Sequence, residues 1–365
     1  MIVFQDPRTD ETLYSVLART LSSLVDVPPQ RLRISAFRSK RIAAASTFPN
    51  HLQHLVTAAQ PWGRLTSDFV IDTLTAFPFY AAFWTDERQT AMRSYMQASS
   101  GFSRPPAAPG RHHTLRKHHL YCCTGCMAED QATYGEAHFR RVHQLDSVWW
   151  CPQHRTYLES TGVETHEQAL TAKTYVTLEE ATLQGTAKTW AAALAGTANL
   201  HLQRLAKDSA WILHQTAVPR ITEGLPHRVK ASLASFGYVT QQGIVRSGQL
   251  FDDLERAVGP QLLSAMGCPL KKEDKGNWLH RIVRPGTTLH PTCTLLVLAF
   301  LNVSPAIFFS PDSFPVSASQ RLPDLYPCLN LVASHAGQLV INLPPIPTTR
   351  KSGMLYTCEI CGYQY

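Results

Sequence analysis

Cysteine and histidine are the residues here whose types and spacing suit chemistry. The chain has nine cysteines and 16 histidines. Cys123-x2-Cys126 is followed, after a gap of 24 residues, by Cys151-x2-His154. Two close pairs separated by a moderate gap make up the donor set of a tetrahedral zinc site. Each pair can come from a tight knuckle whose backbone N–H groups face the thiolates. Cys122 adjoins the first pair, but the two-residue spacing selects Cys123. A second set repeats the arrangement, with Cys328-x6-His335 and, 22 residues on, Cys358-x2-Cys361. Gly362 directly follows the second thiolate of that last knuckle. The Cys328/His335 half has irregular spacing, so the competing reading is a pair of core residues. Four protein ligands leave no open coordination position, so the expected role of Zn2+ at both sites is structural and not catalytic.

The elements that position these ligands read mainly as helices. The expected fold class is mainly α with two small zinc-finger (zinc-ribbon-like) modules and a helix-turn-helix-like N-terminal region. Leu13, Val16, Leu17 and Leu21 recur at helical spacing, and Pro28-Pro29 then breaks the chain. Two short helical patterns follow, about 50–59 and from Ser67, joined by PWGR (61–64), a pairing that could form a helix-turn-helix. Residues 101–120 (GFSRPPAAPG, then RHHTLRKHH) read as a linker. Thr186–His214, Pro226–Phe236 and Gln249–Met266 read as helices, with Gly237–Arg246 as a break. Thr294–Phe309 reads as a buried helix plus a turn. The predicted divisions are an N-terminal helical domain (1–100), linker (101–120), first finger (121–160), helical domain (161–310) and second finger (311–365). The gap of the first finger holds Tyr134, Phe139, Trp149 and Trp150, rings expected to cover the site and supply its core.

Several function classes receive no support. There is no Gly-x4-Gly-Lys-Ser/Thr phosphate loop, His-Glu-x2-His helix or Gly-x-Ser-x-Gly elbow, so no catalytic residues are expected. Asp72, Glu87 and Asp146 read as solvated surface acids. No basic n-region with an apolar core opens the chain, and Thr294–Phe309 is too short and interrupted to span a bilayer. The expectation is a soluble cytoplasmic protein without membrane contact, where thiols bind metal in preference to forming disulfides. The net charge is +7. Its basic residues cluster at Arg31, Arg33, Arg38, Lys40 and Arg41; at Arg111, Arg116 and Lys117; at Arg140 and Arg141; and at Lys271, Lys272 and Lys275. Such patches can neutralise phosphates or simply form solvated faces.

The segment YCCTGCMAEDQATYGEAHFRRVHQLDSVWWCPQHRTYL (121–158) resembles the zinc-finger signature of the TniQ/TnsD family, transposon target-selection proteins. The family pattern falls on Cys123/Cys126, Tyr134-Gly135-Glu136, Phe139-Arg140-Arg141 and Cys151-Pro152-Gln153-His154. DPRTDETLYSVLART (6–20) looks like the family opening, and DTLTAFPFYAAF (72–83) like its Thr-x-Phe-Pro segment. GNWLHRIVRPGTTLHPTCTLLVLAFL (276–301) and the PCLNLVASHAGQLVI/LYTCEICGYQY pair resemble the TnsD branch, so the likeness touches most of the chain. It implies a non-catalytic adaptor for DNA transposition that recruits a TnsC-type AAA+ ATPase to a target. The target would be marked by a CRISPR effector complex with its guide RNA, or by double-stranded DNA the protein itself contacts. A homodimer and nucleoid association fit the same expectation. Many relatives carry a cysteine near Ala333, and its absence leaves His335 as the expected fourth ligand. The sequence stops four residues after Cys361, without the C-terminal extension tied to attachment-site recognition. That shifts the expectation from stand-alone site reader, the main alternative, toward effector-linked adaptor. A zinc-dependent nucleic-acid enzyme is the more distant rival.

Overall fold

The computed structural model describes residues 4–24, 26–38, 47–59, 65–98, 116–165, 175–194, 197–221, 224–287, 289–310 and much of 326–364. The expected PWGR turn (61–64), Lys40, Arg41, most of the 101–120 linker with Arg111, and residues 311–325 lie outside the described residues.

Six helices open the fold: α1 (Leu13–Ser22), α2 (Pro29–Phe37), α3 (Leu52–Ala59), α4 (Ser67–Leu74), α5 (Phe77–Ala81) and α6 (Asp86–Gln97). Local chemistry explains their starts. The Thr12 side chain accepts from the Ser15 N–H and caps α1, and Thr66 does the same for α4 through Phe69. Pro29 stands in the first turn of α2, where a missing N–H costs nothing. The Cys/His segment follows as β1 (His119–Cys122), α7 (Thr124–Tyr134), a 3-10 turn (Val142–Gln144) and β2 (Glu159–Glu164). β1 and β2 pair antiparallel, with Tyr121 opposite Ser160 and Cys122 opposite Glu159.

The later helices are α8 (Thr186–Ala193), α9 (Thr197–Leu213), α10 (Leu225–Ser235), α11 (Ser247–Val258), α12 (Pro260–Ala265), α13 (Trp278–Arg281), α14 (Pro291–Phe300) and α15 (Pro305–Phe309). Three predicted helical stretches are thus each divided. The 186–214 stretch forms α8 and α9. Gly259 at φ +87°, followed by Pro260, ends α11 and restarts the chain as α12. Asn302 at φ +53° separates α14 from α15. Short antiparallel pairs close the chain: β3 (Tyr326–Pro327) with β4 (Leu339–Ile341), and β5 (Ile346–Pro347) with β6 (Met354–Leu355). The described fold is therefore mainly helical, with little sheet. No described helix is long and apolar enough to cross a membrane.

One apolar cluster runs without a break through the chain's successive segments. It holds Leu17 and Phe79, then Cys126, Cys151 and Trp149, then Leu202, Trp278 and Leu295. Beside it lies Asp146, whose side chain is only 16% exposed, which differs from its expected reading as a solvated acid. Its carboxylate accepts from the Lys117 backbone N–H at 3.0 Å, His290 Nε2 at 3.2 Å and the Tyr80 hydroxyl at 3.3 Å. Burial raises its pKa, but the hydrogen bond from His290, with the Lys117 N–H and ammonium, holds the net value below the usual carboxylate range.

Several cations of the basic clusters serve the interior instead of a phosphate-binding or solvated face. Lys117 is buried, donates to the carbonyls of His143 and Val148, and sits 4.9 Å from the ring centres of both Tyr121 and Trp149. Arg141 is buried and binds Asp10 and the carbonyls of Asp72 and Thr75. Arg140 pairs with Asp130 at 2.7 Å and Arg33 is buried, whereas Lys272 is exposed and pairs with Asp252 at the surface. A run of basic residues in sequence does not reveal which of them face inward.

Candidate metal centres

The first centre is built from a strand end, a helix start and a knuckle. β1 delivers Cys123 to the N-cap of α7, and one helical turn brings Cys126 beside it. Strand alternation sends the adjacent Cys122 elsewhere: it packs with Tyr14, Leu120 and Phe139 in a separate cluster. Burial, with Cys123 and Glu159 nearby, pushes the Cys122 thiol up to about 12. The other two ligands come from a tight loop. Cys151 N–H donates to Thr156 O at 2.7 Å, and Arg155 N–H to Cys151 O at 3.0 Å, with Arg155 left-handed at φ +56°.

These elements bring Cys123, Cys126, Cys151 and His154 together, their ligand atoms all within 4.8 Å of one another. Cys126 Sγ lies 3.7 Å from Cys151 Sγ and 3.3 Å from His154 Nδ1, and Cys151 Sγ lies 3.7 Å from the same nitrogen. Zn–S bonds of about 2.3 Å at tetrahedral angles give S–S edges of roughly 3.8 Å, so the donors stand at the right separation for zinc. The same crowding works against a thiolate at Cys126, since Cys123 and Cys151 push its pKa up. A cation at the centre removes that conflict.

Residues that spacing did not single out complete the site. His154 Nε2 lies 3.0 Å from Glu129 Oε1, and Glu129 in turn accepts from Gln153 Nε2 at 2.6 Å. A proton on Nε2 leaves Nδ1 as the free donor atom, a carboxylate–histidine arrangement typical of metal centres. Gly125 is required by close approach: a Cβ there would lie 2.5 Å from His154 Cδ2. Trp149 and Trp150 contribute to the core as expected. Phe139 instead packs with Tyr14, and Tyr134 is exposed beneath the Arg8 guanidinium.

Cys328, His335, Cys358 and Cys361 form the second group, again within 4.8 Å. Cys328 Sγ lies 3.7 Å from Cys361 Sγ, and His335 offers Nε2, 3.3 Å from Cys358 Sγ. Its terminal knuckle repeats the one at Cys151. Cys358 N–H donates to Tyr363 O, Gly362 N–H donates to Cys358 O, and Gly362 is left-handed at φ +72°. Both groups offer three soft sulfurs and one nitrogen, a set that fits zinc and leaves no vacant ligand position.

Comparison with known proteins divides the chain between two family descriptions. The TniQ family model matches residues 2–158, and that of Tn7-like transposition protein D, TnsD, matches residues 205–365. The chain belongs to the TniQ/TnsD family. A curated relative, the transposon Tn7 transposition protein TnsD of Escherichia coli, is 26% identical over 152 residues. That alignment covers 41% of this chain and 30% of the relative. Within this TniQ/TnsD protein the first four-residue group lies entirely in the TniQ match and the second entirely in the TnsD match.

Proposed function

We propose that this chain is a non-catalytic target-selection adaptor for Tn7-like transposition. It recruits a TnsC-type AAA+ ATPase to a target marked by an RNA-guided CRISPR effector complex or by bound DNA. The observation that carries this reading is the succession of a TniQ match and a TnsD match along one chain. Zn2+ holds each four-residue group as a structural cross-link: Cys123, Cys126, Cys151 and His154 in one, Cys328, His335, Cys358 and Cys361 in the other. The five proposed divisions, 1–100, 101–120, 121–160, 161–310 and 311–365, are working units for truncation.

The test is transposition in cells supplied with the matching ATPase, transposase and effector genes. Insertions that follow the guide sequence and vanish when this chain is removed support the adaptor reading. Insertions at one fixed DNA sequence, independent of guide, favour the second reading, a stand-alone DNA-binding site selector.

One observation favours that second reading and selects its face. α2 exposes Gln30, Arg31, Ile34 and Ser35, and its C-cap residue Arg38 is exposed just beyond them, with no acid among these residues. α4, the second helix of the sequence-derived helix-turn-helix, instead presents Asp68 and Asp72, each held by Arg93 at 2.7 Å. Phosphates repel that acidic face, so DNA contact by the N-terminal helices runs through α2. Replacing Arg31 and Arg38 with Gln is expected to reduce the salt dependence of DNA binding by about one counterion each. An unchanged salt slope removes α2 from the interface.

A further inference from the structure

The segment that breaks the helical pattern between α10 and α11 is an ordered β-hairpin. Val239 bridges Val245, Thr240 N–H donates to Ile244 O at 2.8 Å, and Arg246 N–H donates to Tyr238 O at 2.8 Å. Gly243 N–H closes the turn on Thr240 O at 2.8 Å, and Gly243 takes the left-handed position at φ +76° that such a turn requires. The Thr240 hydroxyl accepts from the Ile244 N–H at 3.1 Å and ties the turn a second time. The base of the hairpin is fixed to the body of the protein. Tyr238, Val239 and Val245 pack on the main apolar cluster. The Tyr238 ring centre lies 5.7 Å from that of Phe300 in α14, and its hydroxyl donates to Asp253 at 3.0 Å. The tip faces water instead. Gln241 and Gln242 are exposed, Ile244 is 65% exposed, and neither amide is bonded within the chain among the described residues.

Charge narrows what the tip can meet. Residues 224–251 contain no acid. Of their cations, Arg228 is buried and donates to Ser310 O, and Arg246 is engaged within the chain. Lys230 is part-exposed on α10, and no acid pairs with it among the described residues. A Cβ on Gly243 would lie 3.4 Å from Lys230 Nζ, so the ammonium stands beside the turn. The acid at the hairpin's base, Asp253, is shared between Tyr238 and Arg256. Side-chain amides, a projecting aliphatic wedge and a flanking cation are what minor-groove proteins present to duplex DNA. The amides donate to acceptors on the base edges, and the wedge loosens one base step. The tip, residues 240–245, has no aromatic ring for stacking on unpaired bases, and the minor groove of A-form RNA is wide and shallow. We propose that this hairpin enters the minor groove of duplex DNA, with Gln241 and Gln242 on the base edges, Ile244 against a base step and Lys230 on a phosphate. This role rests on the reading that the chain contacts its target DNA, and it adds to α2 a contact in the TnsD-matched half.

The test uses the full metal-loaded chain and a fluorescein-labelled duplex of about 30 base pairs with an A·T-rich centre, read by anisotropy at low salt. Netropsin, a small molecule that fills the minor groove of A·T runs, is expected to displace the parent. Substituting Gln241→Ala and Gln242→Ala together is expected to weaken binding about ten-fold at an unchanged salt slope, the effect of two lost neutral hydrogen bonds. That variant is also expected to lose most of its sensitivity to netropsin. Lys230→Gln is expected to lower the salt slope by about one counterion. A 2-aminopurine base at a central TA step is expected to brighten when the parent binds, and to brighten less with Ile244→Ala. These substitutions leave the anchors Tyr238, Val239 and Val245 in place. Parent-like binding by the glutamine and lysine variants, a parent insensitive to netropsin, or tighter binding of an RNA duplex of the same sequence overturns the hairpin role. If Arg31→Gln with Arg38→Gln weakens DNA binding and the hairpin variants do not, the α2 contact stands and the hairpin role alone falls. No saturable binding of the duplex by the parent overturns both.

Discussion

Glu129 Oε1 lies 3.0 Å from His154 Nε2, on the side of the imidazole opposite the thiols. The carboxylate fixes the tautomer that exposes Nδ1, so Glu129 acts on the metal through the histidine. Loss of such a partner costs about 10–100-fold in metal affinity. Glu129→Ala is expected to weaken zinc at the first centre by that factor and leave the second unchanged. Competition against a chromophoric chelator, with Cys361→Ser isolating the first centre, reads the difference. Equal affinity in Glu129→Ala and its parent excludes the role.

Gly125 stands where α7 meets the His154 ring. A methyl group there would lie 2.5 and 2.6 Å from two ring carbons, inside van der Waals contact. Gly125→Ala is expected to displace the ring and its Nδ1, lowering the zinc content from about two ions per chain toward one. Gly135→Ala is the control. Gly135 is left-handed at φ +77° with nothing within 4 Å of the added carbon, so it costs only the backbone strain, about 1 kcal/mol, and keeps its metal.

The two knuckles share hydrogen bonds but not the residue at the left-handed position. Gly362 adopts φ +72° freely, while Arg155 is held at φ +56° with a side chain attached. Arg155→Gly is therefore expected to stabilise the first centre by up to about 1 kcal/mol, and Gly362→Ala to destabilise the second by about as much. Chelator-induced unfolding, followed by circular dichroism, measures both. A lower midpoint for Arg155→Gly would count against the equivalence.

Lys117 makes stability depend on pH in an unusual direction. Burial pulls its pKa down to about 7, with Asp146 opposing that shift. The unfolded chain holds the proton up to about 10.4. Between these values the unfolded state binds more protons than the folded one, so stability rises as pH increases from about 7 to about 10. Lys117→Met keeps the stem against Trp149 and is expected to flatten this rise while lowering stability at all pH values, because two carbonyls lose their donor. Urea midpoints at pH 7, 8 and 9 give the comparison, and parallel slopes would remove Lys117 as the cause.

The two donor sets were legible because ligand spacing is a local property: two residues between sulfurs fit one knuckle whatever surrounds it. The helices were legible for the same reason, through periodicity such as that of Leu13, Val16, Leu17 and Leu21. What sequence could not supply is set by contacts between distant segments. Glu129 is one helical turn from Cys126, but nothing in its spacing shows that it meets His154. Arg141 and Lys117 read as surface cations because their partners, Asp10 and the carbonyls of residues 143 and 148, are distant in sequence or lie in the backbone. The 186–214 and 249–266 patterns kept an apolar period across their breaks, so periodicity alone could not divide them.

Asp146 was hidden for that reason too, and it gives the sharpest stability test. His290 caps α14 through Nδ1, which accepts from the Thr292 N–H at 3.3 Å. The proton is thereby left on Nε2, which donates to Asp146. Because the folded pKa of Asp146 lies below the unfolded value, its contribution is present above about pH 4 and is lost as pH falls through the folded pKa. Asp146→Asn keeps the size of the side chain but not its charge, and its amide can turn a donor toward His290 Nε2–H or Tyr80. Breaking one partner of a buried pair costs about 3–5 kcal/mol. The variant is expected to lose close to that at pH 7 and to show a shallower decline below pH 4 than the parent. His290→Gln should produce most of the same loss, and the double variant little more, because both remove one shared contact. Additive losses in that cycle would mean that the two residues act separately and that Asp146 does not join the first Cys/His segment to α14.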